Sequence, residues 1–124
     1  MTEGRFVGWE LGRADRARLL DRFPPAYREV VADHVTHKPD DAPAPHAEVG
    51  RIIGRADDGQ GVEAMVVEVA GHLRRPDGGV YHITWSLGPG REARESNTVI
   101  AELGWVALMT PVDVELVAVS RREG

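Results

Sequence analysis

Over most of this chain apolar residues recur with a period of two, and each alternating run is closed by a Gly, Pro or Asp turn signal. Period two is the signature of strands, whose side chains point alternately to opposite faces. In Val62–Val69, Ala64, Val66 and Glu68 share one face and Met65, Val67 and Val69 the other. In the stretch from Val112 to Ser120, Val112, Val114, Leu116 and Ala118 alternate with Asp113, Glu115, Val117 and Val119. Asp57-Asp58-Gly59-Gln60-Gly61 predicts a hairpin ahead of Val62, and Arg75-Pro76-Asp77-Gly78-Gly79 a second turn leading into a strand from Val80 to Leu87. Gly88-Pro89-Gly90 closes that strand. Phe6 to Leu11, Asp33 to Lys38 and Ala47 to Arg55 read as further strands, and the proline- and aspartate-rich run from Pro39 to Pro45 as a loop.

Only two stretches carry helical spacing. Ala14, Ala17, Leu19, Leu20 and Phe23 predict a helix from Asp15 to Phe23, stopped by Pro24-Pro25, with another half turn from Tyr27 to Val31. Ser96 or Asn97 is expected to cap a second helix running to about Leu103, with Gly104 at its end. Strands with two short helices, and no regular strand-helix alternation, predict an α+β fold rather than a doubly wound parallel sheet. The 124 residues fit one domain spanning residues 1–124.

The composition narrows the function. There is no cysteine, which excludes disulfides, thiol catalysis and cysteine-based zinc sites. The longest apolar runs, such as Val106-Ala107-Leu108-Met109, fall far short of the roughly 20 residues of a membrane span. Glu3 and Arg5 stand where a signal peptide would build its apolar region, so a cytoplasmic location is expected. A net charge of -5 argues against a protein that grips long stretches of nucleic-acid backbone. It leaves room for a small nucleotide or an RNA end held by local cations. Arg74, Arg75, Arg91 and Arg94 flank the strand from Val80 to Leu87 as a basic zone; solvated loop arginines are the equally weighted alternative.

The chemistry-bearing pattern is a doubled His-x-Thr, His34-Val35-Thr36 and His82-Ile83-Thr84, each on an expected strand. Alternation puts His34, Thr36 and Lys38 on one face of the first strand. It puts His82, Thr84 and Ser86 on one face of the second, with Tyr81, Ile83, Trp85 and Leu87 behind them as a core-like face. Two imidazoles can divide the work of phosphoester cleavage, one taking a proton from the attacking water and the other giving one to the leaving oxygen. Threonine hydroxyls two residues along can hold the phosphate in line, and no metal or other cofactor is required. With five His, five Thr and three Ser in the chain, two such motifs arise by chance about a few per cent of the time.

Asp33-His34-Val35-Thr36 and Tyr81-His82-Ile83-Thr84-Trp85-Ser86-Leu87 resemble the paired motifs of the two-histidine phosphoesterases. Arg94-Glu95-Ser96-Asn97 with Val99-Ile100 is similar to the segment after the second motif in the cyclic phosphodiesterase domains of tRNA ligases, and Phe6-Val7-Gly8-Trp9 to their opening strand. The resemblance implies bilobal, pseudo-twofold antiparallel sheets with two or more short helices and an active-site cleft between the lobes. It also implies hydrolysis of a 2′,3′-cyclic phosphate on an RNA end or a small nucleotide, His34 and His82 as the acid/base pair, and Thr36 and Thr84 as phosphate-binding hydroxyls.

Lys38, Tyr81, Trp85 and Ser86 are candidate substrate contacts. Core packing is the stronger reading for Trp9, Tyr81 and Trp85, and ordinary exposure for Lys38 and Ser86. Asp33-His34-x-x-His37 has histidines on opposite faces of a strand, which disfavours a metal site. His46 and His72 read as surface residues. No membrane or protein partner is expected. The alternative from a different class is a non-catalytic nucleotide- or RNA-binding module using the same cleft.

Overall fold

The computed structural model describes residues 4–38 and 48–123, and for residues 4–6, 38 and 120–123 the backbone alone. The expected loop from Pro39 to Pro45, and His46, lie outside the described residues. Among the described residues seven strands and two helices follow in the order β1 (Gly4–Leu11), α1 (Arg13–Arg22), β2 (Glu29–Val30), β3 (His34–Lys38), β4 (Glu48–Asp57), β5 (Val62–Val69), β6 (His82–Leu87), α2 (Glu95–Leu103) and β7 (Val106–Glu123). The fold is therefore mixed α+β. Three local expectations are corrected. Glu29–Val30 is a strand and not helix, because Pro24-Pro25 ends α1 and frees the chain to pair with β6. The last strand begins at Val106, six residues earlier than the alternating run, because its start pairs with Gly54 and Arg55 of β4. Ser96 and Asn97 lie inside α2, where Glu95 instead accepts the Glu92 N–H (2.7 Å).

All seven strands belong to one antiparallel sheet in the order β2-β6-β5-β4-β7-β1-β3. The strand order by itself does not show the expected pseudo-twofold lobes or a cleft between them. β2 and β3 sit at opposite ends of that order, yet only three residues separate them in the chain. One short segment thus pairs with β6 at its start and with β1 at its end, so the sheet must roll up until its ends meet. The main core has the composition of a barrel interior: Trp9 of β1, Val35 of β3, Ile52 of β4, Met65 and Val67 of β5, Ile83 and Trp85 of β6, and Val114 and Leu116 of β7. α1 lays Leu19, Leu20 and Phe23 against this core, and the Trp85 indole donates to the Phe23 carbonyl (2.8 Å). α2 covers the other side of the sheet, where Val99 and Ile100 pack on Ala56, Val62, Ala64 and Val66.

The closing segment is locked through its backbone. The N–H groups of Val31 and Ala32 donate to the carbonyls of Trp85 and Thr84 (both 2.9 Å), and the Asp33 carbonyl accepts from Leu11 (3.1 Å). The chain turns at Ala32, whose φ of 42° is a left-handed value rare for a residue with a side chain. The remaining carbonyls are taken by Arg16 of α1, which donates to Ala32 (2.9 Å) and Val31 (3.1 Å). Arg16→Met leaves both carbonyls without that donor and is expected to cost about 1–3 kcal/mol. The loss should be read as a lower urea midpoint at unchanged slope. Arg18→Met removes a solvent-exposed pair with Asp15 and an exposed hydrogen bond to the Asp113 carbonyl (3.2 Å), and should stay within about 0.5 kcal/mol. An unmoved midpoint in Arg16→Met would show that the closure does not depend on this side chain.

Candidate functional site at the barrel seam

Val35 of β3 and Ile83 of β6 point into the barrel, so their neighbours His34, Thr36, His82 and Thr84 point out of it. The pairing of Glu29 with Leu87 and Val30 with Ser86, continued by the bonds of Val31 and Ala32, runs β3 alongside β6 in the direction that brings His34 toward His82. Continued by one step per residue, this antiparallel pairing sets His34 opposite His82. Both histidines therefore belong to one outward-facing patch where the barrel closes. His37 points inward: its ring stacks on Tyr81 (centroids 5.9 Å, planes 8° apart), and its Nδ1 shares a 2.7 Å hydrogen bond with the Tyr81 hydroxyl. His34 and His37 are thus on opposite faces, and among the described residues no group of three or more His, Asp or Glu could hold a metal ion.

The two imidazoles are held differently. His82 Nδ1 lies 2.8 Å from the Val80 carbonyl. A carbonyl only accepts, so Nδ1 carries the proton, and Nε2 of the neutral ring presents its lone pair. Burial pushes the His82 pKa below its ordinary 6.5; the Val80 carbonyl opposes this, and the charges of Arg75 and His34 reinforce it. His34 Nδ1 lies 3.1 Å from a carboxylate oxygen of Asp33. Asp33 is a positioning partner that motif reading passed over, and its place directly before the histidine was the signal for it.

The candidate contacts separate by location. Thr36 is half-buried on the His34 face. Thr84 is 8% exposed, and its hydroxyl is 2.9 Å from that of Ser96 and 3.2 Å from the Ala93 carbonyl, tying β6 to the start of α2. Ser86 does not continue the His82–Thr84 row. The register between β5 and β6 shifts at Glu63/Ala64, so that Ser86 turns to Glu63 (2.6 Å), is fully buried and also accepts from the Tyr27 N–H (3.1 Å). Trp85 is fully buried, and Tyr81 is 4% exposed within the same core. All three side chains are buried. The side chain of Lys38 lies outside the described residues. His72 is exposed, as expected.

A cavity of about 710 Å³ opens beside His82, between the turn at residues 74–80 and α2. Arg74, Arg75, Asn97, Ile100 and Trp105 are among its walls. Trp105 lies against Gly54, occupying the space a Cβ there would need. The basic zone is split by its partners. Arg91 pairs with Asp58 and Glu95 (both 3.0 Å), and Arg94 with Glu92 (2.9 Å); Arg74 and Arg75 face the cavity, Arg75 paired there with Asp77 (3.0 Å).

Compared with protein-family models, curated proteins and solved structures, the chain matches none of them. The site must be read from its own geometry. By NMR, His82 should appear as the Nδ1–H tautomer, titrating below 6.5, and His34→Gln should move that pKa upward by removing a nearby positive charge. The fold favours neutral His82, so the unfolded chain binds more protons. The stability this contributes is present above pH 6.5 and lost as pH falls through the lowered folded value. A His82 pKa at or above 6.5, or one indifferent to His34→Gln, would contradict the arrangement.

Proposed function

We propose that this protein is a metal-independent phosphodiesterase that opens a 2′,3′-cyclic phosphate on an RNA end or a small nucleotide, with His34 and His82 as its acid/base pair. The observation that carries the reading is the strand register that runs His34 toward His82 on one face of the seam, beside a cavity lined by His82, Arg74 and Arg75. His82, neutral with Nε2 as acceptor, suits the general base. His34, oriented by Asp33, suits the acid. Water attacks phosphorus as His82 Nε2 takes its proton. The bond from phosphorus to one ribose oxygen breaks, and that oxygen takes a proton from His34, giving a phosphomonoester. Thr36 is the hydroxyl best placed to donate to a non-bridging oxygen. Thr84, whose hydroxyl is engaged with α2, holds that helix against β6. The seam and the adjoining cavity supply the concave surface. The absence of cysteine suits a reducing cytoplasm.

Release of nucleoside 2′- or 3′-monophosphate from nucleoside 2′,3′-cyclic phosphates in EDTA is the direct test. His34→Ala and His82→Ala should each reduce kcat by about 100- to 10,000-fold. The rate should follow a bell-shaped pH profile whose acid limb lies below 6.5. Ligand binding without turnover in the wild type would favour a non-catalytic nucleotide-binding module, a reading to which the engaged Thr84 hydroxyl lends weight. Full activity in either histidine variant would sink the catalytic pair.

A further inference from the structure

We infer that the cavity beside His82 is a subsite for a second phosphate group of the substrate, held by Arg74 and Arg75. The inference rests on the phosphodiesterase reading only for where the first phosphate sits. At about 710 Å³, the cavity falls in the range of roughly 300–1,000 Å³ typical of organic-ligand pockets, so it has room beyond the histidine pair. Its cations are unevenly neutralised. Arg75 gives its Nε to Asp77 (3.0 Å), and its guanidinium lies against the backbone at Gly79, in the space a side chain there would fill. That clamp fixes the planar group before any ligand arrives, which suits bidentate recognition of phosphate. Arg74 donates to the Gly78 carbonyl (3.0 Å), a neutral acceptor, and has no carboxylate partner among the described residues.

The positive charge is local. The chain as a whole carries -5, and the other two arginines of the basic zone are tied to Asp58, Glu92 and Glu95. Asp77 also lines the cavity and offsets Arg75, so the charge left facing it is that of Arg74. The opposite wall, with Ile100, Trp105 and Asn97, offers apolar area and an amide whose oxygen can accept. This is the character of a pocket for a nucleotide unit rather than for a bare inorganic anion.

Three substrates separate the outcomes: a nucleoside 2′,3′-cyclic phosphate, the same compound with a 5′-phosphate, and a dinucleotide ending in the cyclic phosphate. The wild type should favour one or both of the last two by about tenfold in kcat/KM, the scale of one charge-assisted contact. Arg74→Gln should collapse that ratio toward one, and Arg74→Lys should keep part of it. Preference for the 5′-phosphorylated mononucleotide identifies a terminal phosphate, and preference for the dinucleotide an internal one. Equal treatment of all three by the wild type, or an unchanged ratio in Arg74→Gln, overturns the subsite. Calorimetric binding of the same compounds to the His34→Ala/His82→Ala double variant separates the two readings. A binding preference with no wild-type turnover leaves the subsite standing and removes the phosphodiesterase. Turnover without preference does the reverse, and neither binding nor turnover removes both.

Discussion

The site depends on how the sheet closes. A strand that changes partners midway must break, and a break inside a fold exposes backbone donors and acceptors that cost free energy unless they are met. Residues 31–33 meet that demand in three directions: toward β6 through Val31 and Ala32, toward β1 through Asp33, and toward α1 through Arg16. With those bonds made, the segment spans the two ends of the sheet and β3 comes to lie beside β6. The histidines share a surface because this junction is rigid. Arg16 stands apart from the chemistry, yet it joins the first helix to the geometry of the pair.

The interior supports the junction from behind. Val35 and Ile83 are fully buried, and they anchor the strands whose outer faces carry His34 and His82. Trp9, His37 and Tyr81 pack edge-to-face and stacked within the same region, filling space next to β3. Farther along β6, Glu63 accepts from Ser86, from the Ala26 N–H (2.9 Å) and from Arg55 (2.7 Å). The fully buried carboxylate is thereby satisfied on both oxygens, and the stretch between α1 and β2 is held in place. Such a network rewards completeness, since a half-satisfied buried carboxylate would be worse than an apolar residue.

Electrostatics then distinguish two chemically identical side chains. Burial lowers the His82 pKa and the Val80 carbonyl fixes the proton of its neutral ring on Nδ1, while Asp33 orients His34. Different roles for like groups arise from such differences in surroundings. The same region sorts its arginines: Arg91 and Arg94 are tied to carboxylates away from the cavity, Arg75 faces the cavity paired with Asp77, and Arg74 faces it with a carbonyl as its acceptor.

Local pattern was enough to read much of this. Period-two alternation located β5, β6 and most of β7, the Asp-Gly turns located the hairpins, and the face assignment of His34, Thr36, His82 and Thr84 followed from Val35 and Ile83 being apolar. These features are legible because they rest on neighbouring residues. The failures share a cause in long-range pairing. Ser86 reads as a member of the His82 row, and leaves it only because β5 and β6 shift register at Glu63/Ala64. Glu29–Val30 becomes a strand only because β6 is there to pair with it. Two lobes and one rolled sheet have the same local signals, since strand order is set by which edges find each other. The sequence by itself determined the strands, their buried faces and the doubled histidine motif, all encoded in side-chain periodicity. Only the tertiary structure decided that the sheet closes at residues 31–33, that the two motifs meet on its outside, and that two of four arginines face a cavity, because each depends on contacts between segments far apart in the chain.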